Sequence, residues 1–119
     1  MFMKTAMAAL LLLGLASPVA AQAAPDGERL FRQRCASCHS LEGKSGAGPA
    51  LDGVSGRTAG TVEGFNYSQA LRDSGIVWDA ATLDQFLTNP SALVRGTRMS
   101  VRLPREADRA AIIGFMTGN

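Results

Sequence analysis

Apolar residues along this chain follow two regimes. A short basic start, Met1 to Lys4, leads into an apolar run from Thr5 to Ala16 dominated by Ala and Leu. Small residues from Ser17 to Ala23 follow at the spacing a signal peptidase accepts, which is the pattern of a secretory leader. Beyond it the spacing is helical and irregular, without strand-like alternation. Asp26 caps a helix expected from about Gly27 to Cys38, with Leu30 and Phe31 facing inward. From Leu41 to Asn66 the chain is a Gly-rich loop, and a loop that long in a small domain is functional or wrapped around something. A short helix is expected over Tyr67 to Asp73, ending at Gly75. Asp79 caps the next helix, with Leu83, Phe86 and Leu87 inward, and Pro90 ends it. Ser91 to Leu103 is irregular. Pro104 suits the first turn of a last helix carrying Ala111, Ile112, Phe115 and Met116, and Gly118 falls at its C-terminal cap. The pattern predicts one all-α domain with large loops.

The chain has 119 residues. The leader reading divides them into a signal peptide, residues 1–23, and a domain, residues 24–119, with cleavage after Ala23 or Ala21. A permanent anchor is the competing reading, but the apolar run falls short of the roughly 20 residues needed to span a bilayer. Loss of Lys4 takes the formal charge from +2 to +1, and no run of one charge remains. That balance speaks against nucleic-acid binding and against binding at a membrane surface.

Cys35 and Cys38 are the only cysteines, and His39 follows at once as the only histidine. Cys-x-x-Cys-His is the signature of covalent haem attachment. Two thiols three residues apart can add to the vinyl groups on one edge of a haem, and the adjacent imidazole then falls beneath the iron. A structural zinc site would need four ligands, more than this cluster offers. A thioredoxin-like pair would need a βαβ context, and a plain disulfide would leave His39 a coincidence. Outside the leader only Met99 and Met116 could supply a sulfur ligand. Met116 lies on the inner face of the last helix, where packing explains it, whereas Met99 lies in the irregular stretch. Met99 is therefore the expected sixth ligand, and His39/Met99 ligation suits electron transfer better than oxygen chemistry.

In sum, the chain resembles the class I c-type cytochromes, the group that includes mitochondrial cytochrome c and its small bacterial relatives. The likeness runs through Gly27-x-x-x-Phe31, Cys35 to His39, Gly48-Pro49-x-Leu51, Gly53-Val54-x-Gly56-Arg57, Gly64-Phe65-x-Tyr67, Trp78, Phe86-Leu87-x-Asn89-Pro90 and Gly96-Thr97-Arg98-Met99. The resemblance implies the cytochrome c fold, a small helical domain with long loops wrapped around one covalent haem c. It implies that the Pro49 carbonyl accepts the Nδ1–H of His39. It also implies that Arg57, Tyr67 and Trp78 donate to haem propionates and that Thr97 lies near one of them. For Gly27, Phe31, Ile112 and Phe115 it implies a contact between first and last helices.

This chain departs from the mitochondrial pattern in several places. The loop from His39 to Pro49 and the stretch from Met99 to Pro104 are short, Phe86 stands for a tyrosine, and Leu71 stands for an asparagine. The lysine-rich rim is missing. Arg34 and Arg98 match rim positions, and Arg95, Arg102 and Lys44 could lie nearby, either as a partly basic docking face or as ordinary solvated surface. The leading expectation is a monomeric periplasmic carrier, not an enzyme, that docks transiently by its haem edge with membrane or periplasmic redox complexes of a respiratory chain. The alternatives are a haem subunit of a periplasmic oxidoreductase and a haem open to gases or peroxide.

Overall fold

The computed structural model describes residues 2–3, 9–15 and 25–118. The expected cleavage stretch lies outside the described residues, as do Met1 and Lys4 of the basic start. Leu10 to Leu13 and Leu15 are each at least 85% exposed, so the domain core is built without them. No helix among the described residues is long and apolar enough to cross a membrane.

Five helices are described: α1 (Gly27–Arg34), α2 (Gln69–Arg72), α3 (Ala80–Thr88), α4 (Pro90–Leu93) and α5 (Glu106–Thr117). The only β feature among the described residues is an isolated antiparallel bridge between Thr58 and Val77. The fold is all-α, as the spacing predicts.

Side chains set most of the helix starts. Asp26 accepts from the Arg29 amide at 3.2 Å, and Ser68 accepts from the Leu71 amide at 3.1 Å, which starts α2 two residues later than expected. At α3 the cap is reciprocal: Asp79 accepts from the Thr82 amide at 2.8 Å, and the Thr82 hydroxyl accepts from the Asp79 amide at 2.9 Å. Donation to the carboxylate by the Thr82 amide, and by the Thr82 hydroxyl at 3.1 Å, holds the Asp79 carboxyl below its ordinary pKa.

Three boundaries correct the sequence expectation. α1 ends at Arg34 and not at Cys38, because the Cys35 and Ala36 amides both bond the Phe31 carbonyl, and the Cys38 and His39 amides close on the Cys35 carbonyl. The Cys-x-x-Cys-His sequence therefore forms its own tight turn. Pro90 ends α3 but also opens α4, a helix the pattern did not show, since proline at the first helical position forfeits no hydrogen bond. Pro104 stays outside α5, which begins at Glu106 with Glu106 and Asp108 in its first turn, where acidic groups favour the helix dipole. Gly118 caps α5 in the left-handed conformation, with φ 78°.

α1 packs across α5, and Phe31 meets Phe115 with ring centroids 5.6 Å apart. The crossing is close because Gly27 has no side chain: a Cβ there would strike the Ala111 carbonyl. Ile112 is wholly buried beside this contact. α3 and α4 close the other side of the core with Leu83, Phe86, Leu87 and Val94.

The depressed Asp79 carboxyl contributes stability above its unfolded pKa, and that contribution is lost as pH falls through the folded value. Asp79→Asn keeps an acceptor for the Thr82 amide but cannot titrate. Denaturant unfolding at neutral pH and near pH 3 should show the wild type losing more stability on acidification than the variant. Equal losses would show that the cap carries no pH dependence.

Candidate functional site

The turn after α1 divides its two thiols. Cys35 is buried and Cys38 exposed, and they are not joined. Burial pushes the Cys35 thiol up to about 11, although neighbouring Arg34 opposes the shift. A thiol held neutral in this way is the reverse of the depressed nucleophile in a redox-active Cys-x-x-Cys.

His39 follows, half-buried, and its position depends on the loop that returns beneath it. The Gly48 amide bonds the Cys38 carbonyl at 2.9 Å, and the Leu51 amide bonds the Ser40 carbonyl at 2.8 Å. This lays the Pro49 carbonyl 2.7 Å from His39 Nδ1. A carbonyl only accepts, so Nδ1 carries the proton and the Nε2 lone pair is left free to bind a metal. Gly48 is indispensable here: a Cβ would overlap the imidazole, lying 2.7 Å from both ring nitrogens.

His39 opens onto a cavity of about 720 Å³. Leu51, Val54, Leu71, Leu83, Phe86 and Leu87 make its apolar wall, and both cysteines and Met99 line it as well. A cleft of this size with a mainly apolar wall has the size and character of a site for a sizeable, mostly apolar group.

The remaining expected residues, Pro49, Arg57, Tyr67, Trp78 and Thr97, also line this cavity. Arg57 donates to the carbonyls of Asp52 at 3.1 Å and Ala50 at 2.9 Å, which fixes its guanidinium while leaving further N–H groups to give. Tyr67 is buried; its oxygen accepts from the Val62 amide at 3.1 Å, and its proton has no acceptor among the described residues. Trp78 is buried against Phe86, with centroids 5.1 Å apart. Neither its indole N–H nor the Thr97 hydroxyl has a hydrogen-bond partner among the described residues. An apolar slot edged by unclaimed donors fits a flat apolar group bearing carboxylates, and a haem is such a group.

Arg34 and Arg98 are exposed at the cavity, in agreement with the rim positions, and Arg34 reaches the Arg102 carbonyl at 3.4 Å. Lys44 and Arg95 are exposed but do not line it. Met116 packs on the core as expected and also borders the cavity. The residue that the sequence reading missed is Arg109, buried on α5 and paired with Asp84 at 2.7 Å. A signal for it existed: position 109 falls three residues before Ile112, on the inward face.

Fold and site together define a small all-α protein built to hold a covalent haem. Residues 24–118 match the family model described as cytochrome c. Cytochrome c2 of Rhodomicrobium vannielii is 45% identical over 116 residues, covering 95% of this chain and 92% of that one. Cytochrome c2 of Rhodoblastus acidophilus is 44% identical over 97 residues, covering 78% and 90%. Among solved structures, cytochrome cH from Methylobacterium extorquens is 37% identical with a TM-score of 0.73, covering 80% of this chain and 100% of that one. The chain belongs to the cytochrome c family, whose members carry covalent haem c and act as electron carriers and not as enzymes.

Gly48→Ala should force the His39 ring off the Pro49 carbonyl. In the haem-loaded protein we expect a several-fold lower yield and added high-spin character in the ferric spectrum. An unchanged low-spin spectrum at normal yield would mean that the close approach can relax at little cost.

Proposed function

We propose that this chain is a periplasmic one-electron shuttle whose haem c is attached through Cys35 and Cys38 and ligated by His39 and Met99. The observation that carries the reading is the 2.7 Å contact from His39 Nδ1 to Pro49, which turns the free Nε2 toward a cavity that Met99 also lines. When bound, the haem supplies a reversible one-electron couple at iron.

The protein's own groups do the rest. Pro49 holds the imidazole proton at Nδ1, which fixes the ring and strengthens its donation. The Met99 thioether would be the residue holding the iron opposite His39, and a soft sulfur donor would favour the reduced state relative to a harder ligand. Arg57, Tyr67, Trp78 and Thr97 would give their free donors to the haem's propionates. The apolar wall excludes water, so little has to reorganise when charge changes. No side chain is required as acid, base or nucleophile.

A bound haem would give and take its electron at the cavity mouth, where Cys38 is exposed and Arg34 and Arg98 would present positive charge to acidic faces of membrane or periplasmic redox complexes. Docking there is transient, and the carrier is a monomer. Residues 1–23 are the secretory leader that brings the chain to the periplasm.

Absorption spectra of the exported protein test the ligation. A low-spin c-type spectrum, a far-red thioether-to-iron band in the ferric form and no response of the reduced protein to carbon monoxide are expected. Met99→Ala should abolish the far-red band and admit carbon monoxide. Carbon monoxide binding by the native protein would replace the shuttle with a catalytic or sensing role. The mass of the exported protein tests the leader: a chain beginning at Gln22 or Ala24 plus one haem is expected. The full chain plus haem would make the segment a retained anchor.

A further inference from the structure

Arg109 is a cation set into the inward face of α5, its side chain only 10% exposed. Its Nε donates to Asp84 Oδ1 at 2.7 Å, and its Nη1 donates to the carbonyls of Leu103 at 2.9 Å and Pro104 at 3.1 Å. A guanidinium at that depth needs an acceptor for each donor it turns inward, and two of the three acceptors belong to backbone arriving from Met99. Leu103 is pinned from the other side as well, since its amide bonds the Leu87 carbonyl at 2.8 Å.

Between Met99 and this anchor lie Ser100, Val101 and Arg102, all exposed. Their one hydrogen bond from a side chain is the long contact of Arg34 to the Arg102 carbonyl. Ahead of Met99, Arg98 Nη1 reaches the Asn66 carbonyl at 2.7 Å and the Thr97 amide bonds the Val94 carbonyl at 3.1 Å. Met99 thus sits on a short span tied at both ends; downstream, the Leu103 amide on the Leu87 carbonyl and the buried Leu103 side chain hold one point, and Arg109 is the side chain that grips the Leu103 and Pro104 carbonyls together. α5 itself has other attachments, in Ile112, Ile113 and Phe115. Loosening the tie should therefore appear first as local opening of the span.

We propose that Arg109, oriented by Asp84, is a positioning residue that keeps the Met99 segment seated on the cavity and so limits displacement of the Met99 thioether by competing ligands. The inference rests on Met99 ligation as read above. The geometry needs a guanidinium: Nε engages Asp84 while Nη1 spans two carbonyls, and a lysine ammonium could keep the ion pair but not the fork.

Imidazole binding to the ferric haem-loaded protein, followed by loss of the far-red band, tests it. Arg109→Met should raise imidazole affinity about tenfold, the equivalent of roughly one charge-assisted hydrogen bond. Arg109→Lys should restore little of the wild-type resistance, and Asp84→Asn should give a smaller rise. Phe115→Leu, which loosens the α1–α5 contact, serves as a control for general destabilisation, with each variant's denaturant midpoint measured alongside. If the Arg109 variants bind imidazole no better than Phe115→Leu at matched stability, or if lysine restores resistance fully, the clamp is overturned. Asp84→Asn carries the test should Arg109→Met fail to fold, and wild-type affinity there would also overturn it. A wild type without the far-red band would instead refute Met99 ligation.

Discussion

The His39 imidazole lies where the Pro49 carbonyl meets it and Gly48 lets it pass, and the rest of the structure is arranged around that contact. For such a ring to offer Nε2 to a metal, its other nitrogen has to be committed to an acceptor that cannot compete. A backbone carbonyl meets the requirement, but only if the return loop runs against the face of the ring. The loop can come that close because position 48 has no Cβ and because its amide is tied back to Cys38. The chain leaves α-helical pairing just before His39, where the Ala36 amide bonds the Phe31 carbonyl five residues back and the Cys38 amide bonds the Cys35 carbonyl three residues back.

Core and cavity are not separate regions. Val54, Trp78, Leu83, Phe86 and Leu87 belong to the hydrophobic core and also face the cavity. Whatever fills the cavity completes the core, and a covalently attached group does so without an association cost. This is how a small domain reaches adequate burial. The long Gly-rich loop makes sense in these terms: it supplies Pro49, Leu51, Val54 and Arg57 to one wall, where a helix would have been too thick and too straight.

Polar groups follow a division of labour. Donors that face the cavity, on Tyr67, Trp78 and Thr97, have no acceptor among the described residues, whereas the Nε and Nη1 of Arg109 are engaged by Asp84 and two backbone carbonyls. The first arrangement suits recognition of carboxylates, and the second suits mechanical restraint of backbone. Charge at the surface is sparser. Arg34 and Arg98 stand at the cavity, while Arg95 and Lys44 do not, so the basic face is narrower than the full set of candidates implied.

The family was legible in the sequence because its leading signature is local: Cys35, Cys38 and His39 are covalent neighbours, and the scarcity of other histidines and methionines left Met99 as the candidate for a second ligand. The caps at Asp26, Asp79 and Gly118 were legible for the same reason, each acting within one turn. The ordered motifs further identified Pro49, Arg57, Tyr67, Trp78 and Thr97 as partners of one site. What sequence could not determine was where backbone meets backbone or meets a distant side chain. The end of α1 at Arg34 depends on how the next turn closes, and α4 depends on a chain direction that Pro90 permits but does not dictate. Arg109 meets Asp84 25 residues away, and Arg34 meets Arg102 68 residues away. Such contacts exist only once the helices have packed, so tertiary structure alone decided how the segment bearing Met99 is held.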